Sequence, residues 1–109
     1  MNDKSPQWAR NLVLAVATQE NRKPPRLYWH RCNVEQVAGG YISDRNTIVV
    51  WVPTHVRCKP YEQKITLLHE CAHWLCNDEG HSPDFWVLAL GLYSAFRVPR
   101  KVVLALEGV

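Results

Sequence analysis

The chain has 109 residues, a formal net charge of +3, and 47% apolar against 21% charged residues. That fits one globular domain over residues 1–109 and excludes a disordered chain. The charge is too small to imply a nucleic-acid partner by itself, and no apolar run approaches the length of a membrane span.

The opening Met1-Asn2-Asp3-Lys4-Ser5-Pro6 has no basic segment followed by an apolar one. No secretory signal is expected, and the expected compartment is cytoplasmic. Ser5-Pro6 is a helix start, with Ser as N-cap and Pro in the first turn. Trp8, Leu12, Ala15 and Val16 recur at helical spacing, so a helix is predicted from about Pro6 to Gln19, stopped by Asn21 and Pro24-Pro25. Leu27-Tyr28-Trp29-His30 reads as a short aromatic strand. Gly39-Gly40 punctuates the chain before a second strand at Tyr41-Ile42-Ser43. Asp44-Arg45-Asn46 is turn chemistry, and Thr47 to Val52 is a β-branched and aromatic strand closed by Pro53. A hairpin is therefore expected over residues 41–52.

Pro60 opens a helix predicted to run to Cys76. Tyr61, Ile65, Leu68, Ala72 and Leu75 form one apolar stripe, and Leu67, Cys71 and Trp74 a second. A helix apolar on two sides is buried on two sides, which makes this one central. Ser82-Pro83-Asp84 repeats the Ser-Pro start. Phe85, Leu88, Ala89, Leu92 and Phe96 give the next helix its apolar face, and Pro99 begins a last short helix toward Leu106. None of Cys32, Cys58, Cys71 and Cys76 forms a Cys-x-x-Cys pair, so free thiols in a reducing compartment are expected. Basic residues gather at Arg22, Lys23, Arg26 and Arg31, and again at Arg97, Arg100 and Lys101. They read as solvated faces, with a phosphate-contacting patch as the alternative.

Residues 69 to 73 read His-Glu-Cys-Ala-His. On a helix, positions i and i+4 share a face, so His69 and His73 can direct two imidazoles at one ion. Glu70 is turned to one side, where its carboxylate can act on a metal-activated water without ligating the metal. With Thr66, these residues make a polar face on an otherwise apolar helix, and such a face is costly to bury unless paired or bound.

A catalytic zinc site usually has three protein ligands and an open position. In the metzincin pattern the third His would stand at Glu79, so that pattern is broken. The chain's single Met is Met1, which excludes a Met-turn. His81, just past Gly80 and just before a new helix, is the leading third ligand. Glu79, Asp78 and Asp84 are the alternatives.

His69-Glu70-x-x-His73 followed by Gly80-His81-Ser82-Pro83-x-Phe85-Trp86 resembles the SprT-like zinc metallopeptidases and the related WLM and Spartan group. The layout also looks like that of small mycobacterial and phage metallohydrolases. The resemblance implies a zincin-type domain with zinc on His69, His73 and His81, Glu70 as catalytic residue, and a β-hairpin (Ala38 to Val52) before the motif helix. No Cys follows Cys76 in this sequence, so the Cys-rich ribbon common in SprT-like proteins is not expected here.

The expected fold is α+β: an antiparallel sheet of about three strands packed on the motif helix, with flanking helices. The expected activity is zinc-dependent peptide hydrolysis, with Glu70 assisting attack of zinc-bound water on the amide carbonyl. Tyr93, His55 and His30 are candidate transition-state donors. An extended peptide substrate could add to the strand Thr47–Val52. The rival readings are a non-catalytic module whose structural zinc takes Cys76 or Cys58 as fourth ligand, a peptidase-like regulator of the ImmA/IrrE type, and a nucleic-acid-binding protein.

Overall fold

Four helices and three strands follow one another as α1 (Gln7–Gln19), β1 (Arg26–Cys32), β2 (Gly39–Ile42), β3 (Thr47–Pro53), α2 (Pro60–Cys76), α3 (Pro83–Ala95) and α4 (Arg100–Glu107). The computed structural model describes residues 5–32, 39–53 and 60–109. No helix among them is long and apolar enough to cross a membrane.

The sheet order is β1-β3-β2. β2 and β3 form the expected antiparallel hairpin, through a 3₁₀ turn at Ser43–Arg45 and Asn46 in the left-handed region (φ 48°). β1, however, pairs with β3 in parallel, with Arg26 opposite Thr47 and Cys32 opposite Pro53. The sheet is mixed, and the wholly antiparallel expectation is corrected. β2 reverses the direction of β1 and β3 reverses it again, so β3 runs with β1 once it inserts between the two.

Strand alternation gives the sheet two faces. Trp29, Tyr41, Ile48 and Val50 are buried in the core beneath α2. Tyr28, His30, Thr47, Val49 and Trp51 point to the other side. The motif helix α2 is central as expected, touching α1, α3, α4, β2 and β3. Ile65, Leu68 and Ala72 are buried along one side, and Leu67, Cys71 and Trp74 along another. Tyr61 and Leu75, at the ends of the first stripe, are less covered.

α1 packs Ala9, Leu12, Val13 and Val16 inward, and Trp8 meets Trp29 edge-on at 5.8 Å. Its N-cap is Pro6 and carries no side-chain cap. The Ser5 hydroxyl instead accepts from Arg10. Ser82 does cap α3, its hydroxyl accepting from the Phe85 N–H at 3.2 Å.

Candidate metal centre

The end of α2 builds half of the site. Asn77 adopts φ 50°, and the Asp78 and Asn77 N–H groups donate to the His73 and Trp74 carbonyls. This is a Schellman-type stop with Asn in place of Gly. The left-handed conformation costs a non-glycine residue about 1 kcal/mol, and Asn bears it best. The Tyr41 hydroxyl donates to the Asn77 side chain at 3.3 Å, which helps hold the turn. The same turn brings the Asp78 carbonyl 2.7 Å from His73 Nδ1. A carbonyl can only accept, so Nδ1 carries the proton and Nε2 is left with its lone pair.

Beyond that turn, the Asp78 carboxylate accepts from the Gly80 N–H at 2.9 Å. The Glu79 carboxylate accepts from the Ser43 N–H at 3.1 Å and the Ser43 hydroxyl at 2.9 Å. Those bonds hold the Glu79 carboxyl below its usual range. Two of the alternative third ligands are thus engaged elsewhere, and they tie the loop to the β2–β3 hairpin. His81 is what the loop delivers to the site. The candidate ligand atoms of His69, His73 and His81 lie within 4.8 Å of one another, and no other such group occurs among the described residues.

His69 Nε2 and His81 Nε2 are 3.1 Å apart. Two nitrogen lone pairs at that distance repel unless a proton or a cation lies between them. Zn–N bonds of about 2.0–2.1 Å in a tetrahedron place ligand nitrogens about 3.3 Å apart, so the donor set fits zinc. Phe85, fully buried, stacks on His73 at 4.2 Å and meets His69 and His81 edge-on. Trp86 stacks on His81 at 5.8 Å. The two rings at the start of α3 therefore fix all three imidazoles.

Burial holds His73 below the usual histidine range, which keeps it neutral as ligation requires. Burial acts to lower His69 too, but the hydrogen bond and charge of Glu107 outweigh it, and its pKa is raised. Glu70 is 6% exposed, and burial pushes its carboxyl up to about 7. Its neighbour across the packing is Gly39. A Cβ there would lie 3.0 Å from Thr66 Cγ2, 3.0 Å from the Val49 carbonyl oxygen and 3.3 Å from Glu70 Cγ. Glycine is what lets β2 lie directly against the motif helix.

Glu107, which no sequence pattern singled out, also belongs to the site. Its Oε1 lies 2.7 Å from His69 Nδ1 and also accepts from the Tyr93 hydroxyl. A signal was available: a carboxylate in the last turn of a helix opposes the helix dipole and calls for a partner. Tyr93 is 1% exposed, and its hydroxyl is given to Glu107. It serves that carboxylate and not a substrate carbonyl. His30 stands opposite Trp51 on the sheet face turned away from α2, so it does not join the site. His55 and Cys58 lie outside the described residues.

Cys71 is buried as a free thiol, and burial pushes its pKa up. The free thiol of Cys76 contacts the His73 and Asp78 carbonyls and is not part of the histidine cluster. From the first basic cluster, Arg22 donates to the Leu75 carbonyl at 3.1 Å and lies over Trp74, a structural role at the end of α2.

Fold and site together define a small α+β domain carrying a three-histidine cluster. Among solved structures, the chain is similar to the metallopeptidase zymogen abylysin of Pyrococcus abyssi, with a TM-score of 0.60 and 17% identity. The similarity covers 91% of this chain and 95% of abylysin. No protein-family profile matches the sequence, and no curated protein matches it.

Proposed function

We propose that this chain is a zinc-dependent metallopeptidase in which His69, His73 and His81 hold the ion and Glu70 is the general base. One observation carries the reading: three imidazoles converge while His69 and His73 each have their outer nitrogen bonded to an acceptor, Glu107 and the Asp78 carbonyl. Each Nε2 is thereby aimed inward. A polar cluster built this way in an apolar setting has the chemistry of a metal site. When bound, zinc supplies a Lewis acid that polarises the scissile carbonyl and acidifies the attacking water.

The chain's own residues do the rest. Glu70 takes the proton of the attacking water on its carboxylate and passes it to the departing amine nitrogen. Burial makes its carboxylate a stronger base than an exposed one, and a value of about 7 suits proton transfer near neutrality. Phe85 and Trp86 hold the imidazoles against rotation. A peptide substrate would lie along β2. β3 pairs with β1 along its length and with β2 over Thr47–Val50, which disfavours the strand addition to Thr47–Val52 considered from the sequence. Among the described residues β2 pairs only with β3, and its Gly39 packs beside Glu70. An extended peptide bonded to that outer edge would bring its carbonyls past the base. The closed structural-zinc alternative finds no fourth protein donor among the described residues.

The test is bound zinc per chain together with turnover on a broad peptide library, for wild type and Glu70→Gln. The expected result is one zinc in both proteins, with turnover in the wild type alone. Loss of zinc from Glu70→Gln would make Glu70 a ligand. Zinc-loaded wild type without turnover on any peptide would overturn the enzyme reading.

A further inference from the structure

We infer that Glu107 is the positioning residue that holds His69 in its metal-binding tautomer, and that metal binding and the docking of α4 are therefore coupled. The inference rests on the metal site proposed above and extends it to a helix that contributes no ligand.

α4 is poorly anchored by apolar contacts. Val103 is its buried core residue and Val102 is partly buried, while Leu104 and Leu106 are exposed. Apolar burial alone fixes such a short helix weakly. Its last turn ends at Gly108 in the left-handed region (φ 73°), where the Gly108 N–H donates to the Leu104 carbonyl. At that end the helix dipole disfavours a negative side chain. Glu107 stands there nonetheless, its side chain 14% exposed. Two donors compensate it, His69 Nδ1 at 2.7 Å and the buried Tyr93 hydroxyl, both on the same oxygen. Glu107 thus bonds α4 to α2 and α3 at once.

For His69 the consequence is directional. A carboxylate beside Nδ1 takes that nitrogen's proton as a hydrogen bond, so Nε2 keeps its lone pair and faces His73 and His81. The carboxylate also makes the imidazole a better donor to a cation. The Tyr93 hydroxyl bonds the same accepting oxygen and so helps hold it in place. By linkage, a metal ion that favours this tautomer favours the docked position of Glu107, and with it α4.

The experiment uses the full chain and Zn2+ alone. Zinc affinity is measured by competition with a chromophoric chelator for wild type, Glu107→Gln and Tyr93→Phe. Replacing such an outer partner typically costs about 10–100-fold in metal affinity. That loss is expected for Glu107→Gln, with a smaller one for Tyr93→Phe, and zinc is expected to slow amide exchange in α4 in the wild type more than in Glu107→Gln. A second measurement needs no variant: nitrogen NMR of metal-free wild type at pH 8.5 reads which His69 nitrogen carries the proton. The expected result is protonated Nδ1. A proton on Nε2, or wild-type zinc affinity in a folded Glu107→Gln, overturns the inference while leaving the metal site standing. Failure of the wild type to bind zinc at all overturns the metal reading and the coupling with it, and the His69 tautomer then decides the positioning role by itself.

Discussion

Replacing Glu70 by Gln is expected to stabilise the metal-free protein, and to do so more as the pH rises. In the folded chain burial pushes the Glu70 carboxyl from an ordinary 4.5 up to about 7. Between those values the folded state keeps a proton that the unfolded state has released. Stability therefore falls as pH rises through this window, and the loss is complete above the folded value. At 1.36 kcal/mol per pH unit the full penalty is about 3 kcal/mol, of which about 2.5 kcal/mol develops between pH 5 and pH 8. Gln carries no charge at either pH and escapes the penalty. The histidines titrate in both proteins and largely cancel in the comparison. The assay is urea unfolding of wild type and Glu70→Gln, both stripped with chelator, at pH 5 and pH 8. The stability difference should move in favour of the variant by about 2–3 kcal/mol between the two pH values, on the order of 10 °C in Tm for a domain of this size. An unchanged difference would refute the reasoning, because it would mean that Glu70 ionises in the folded chain as it does in water.

Gly39→Ala should cost about 1–3 kcal/mol, because its methyl would meet the Val49 carbonyl oxygen and Thr66 Cγ2 at 3.0 Å; thermal unfolding measures it, and adding Thr66→Ser should recover part of the loss. His81→Ala should weaken zinc binding far more than Glu79→Ala, since His81 completes the cluster while Glu79 bonds Ser43; zinc titration of both variants decides, and equal affinities would remove His81 from the site. Cys71, fully buried with its thiol pKa pushed up, should resist alkylation under native conditions and react on unfolding, whereas the half-buried Cys76 should label in the folded protein. Mass spectrometry of the peptides separates the two.

What the sequence determined by itself was local. Pro60 and the stripes through Ile65, Leu68 and Ala72 defined α2 over the range observed, because helical periodicity is written in residues three and four apart. The same spacing placed His69 and His73 on one face, and Ser82-Pro83 marked the start of α3. Those statements need no partner from a distant part of the chain. The tertiary structure decided what depends on such partners. β3 could be recognised as a strand from its β-branched run, but its central place and its parallel pairing with β1 follow from how two reversals and an insertion arrange the sheet. His81 was one donor among several in a polar loop until Ser43 engaged Glu79 and the Gly80 N–H engaged Asp78. Glu107 lies 38 residues from His69, and no periodicity links them. Hydrogen bonds across such a separation are made by packing, so the ligand-bearing helix was legible in the sequence while the group that orients its first histidine was not.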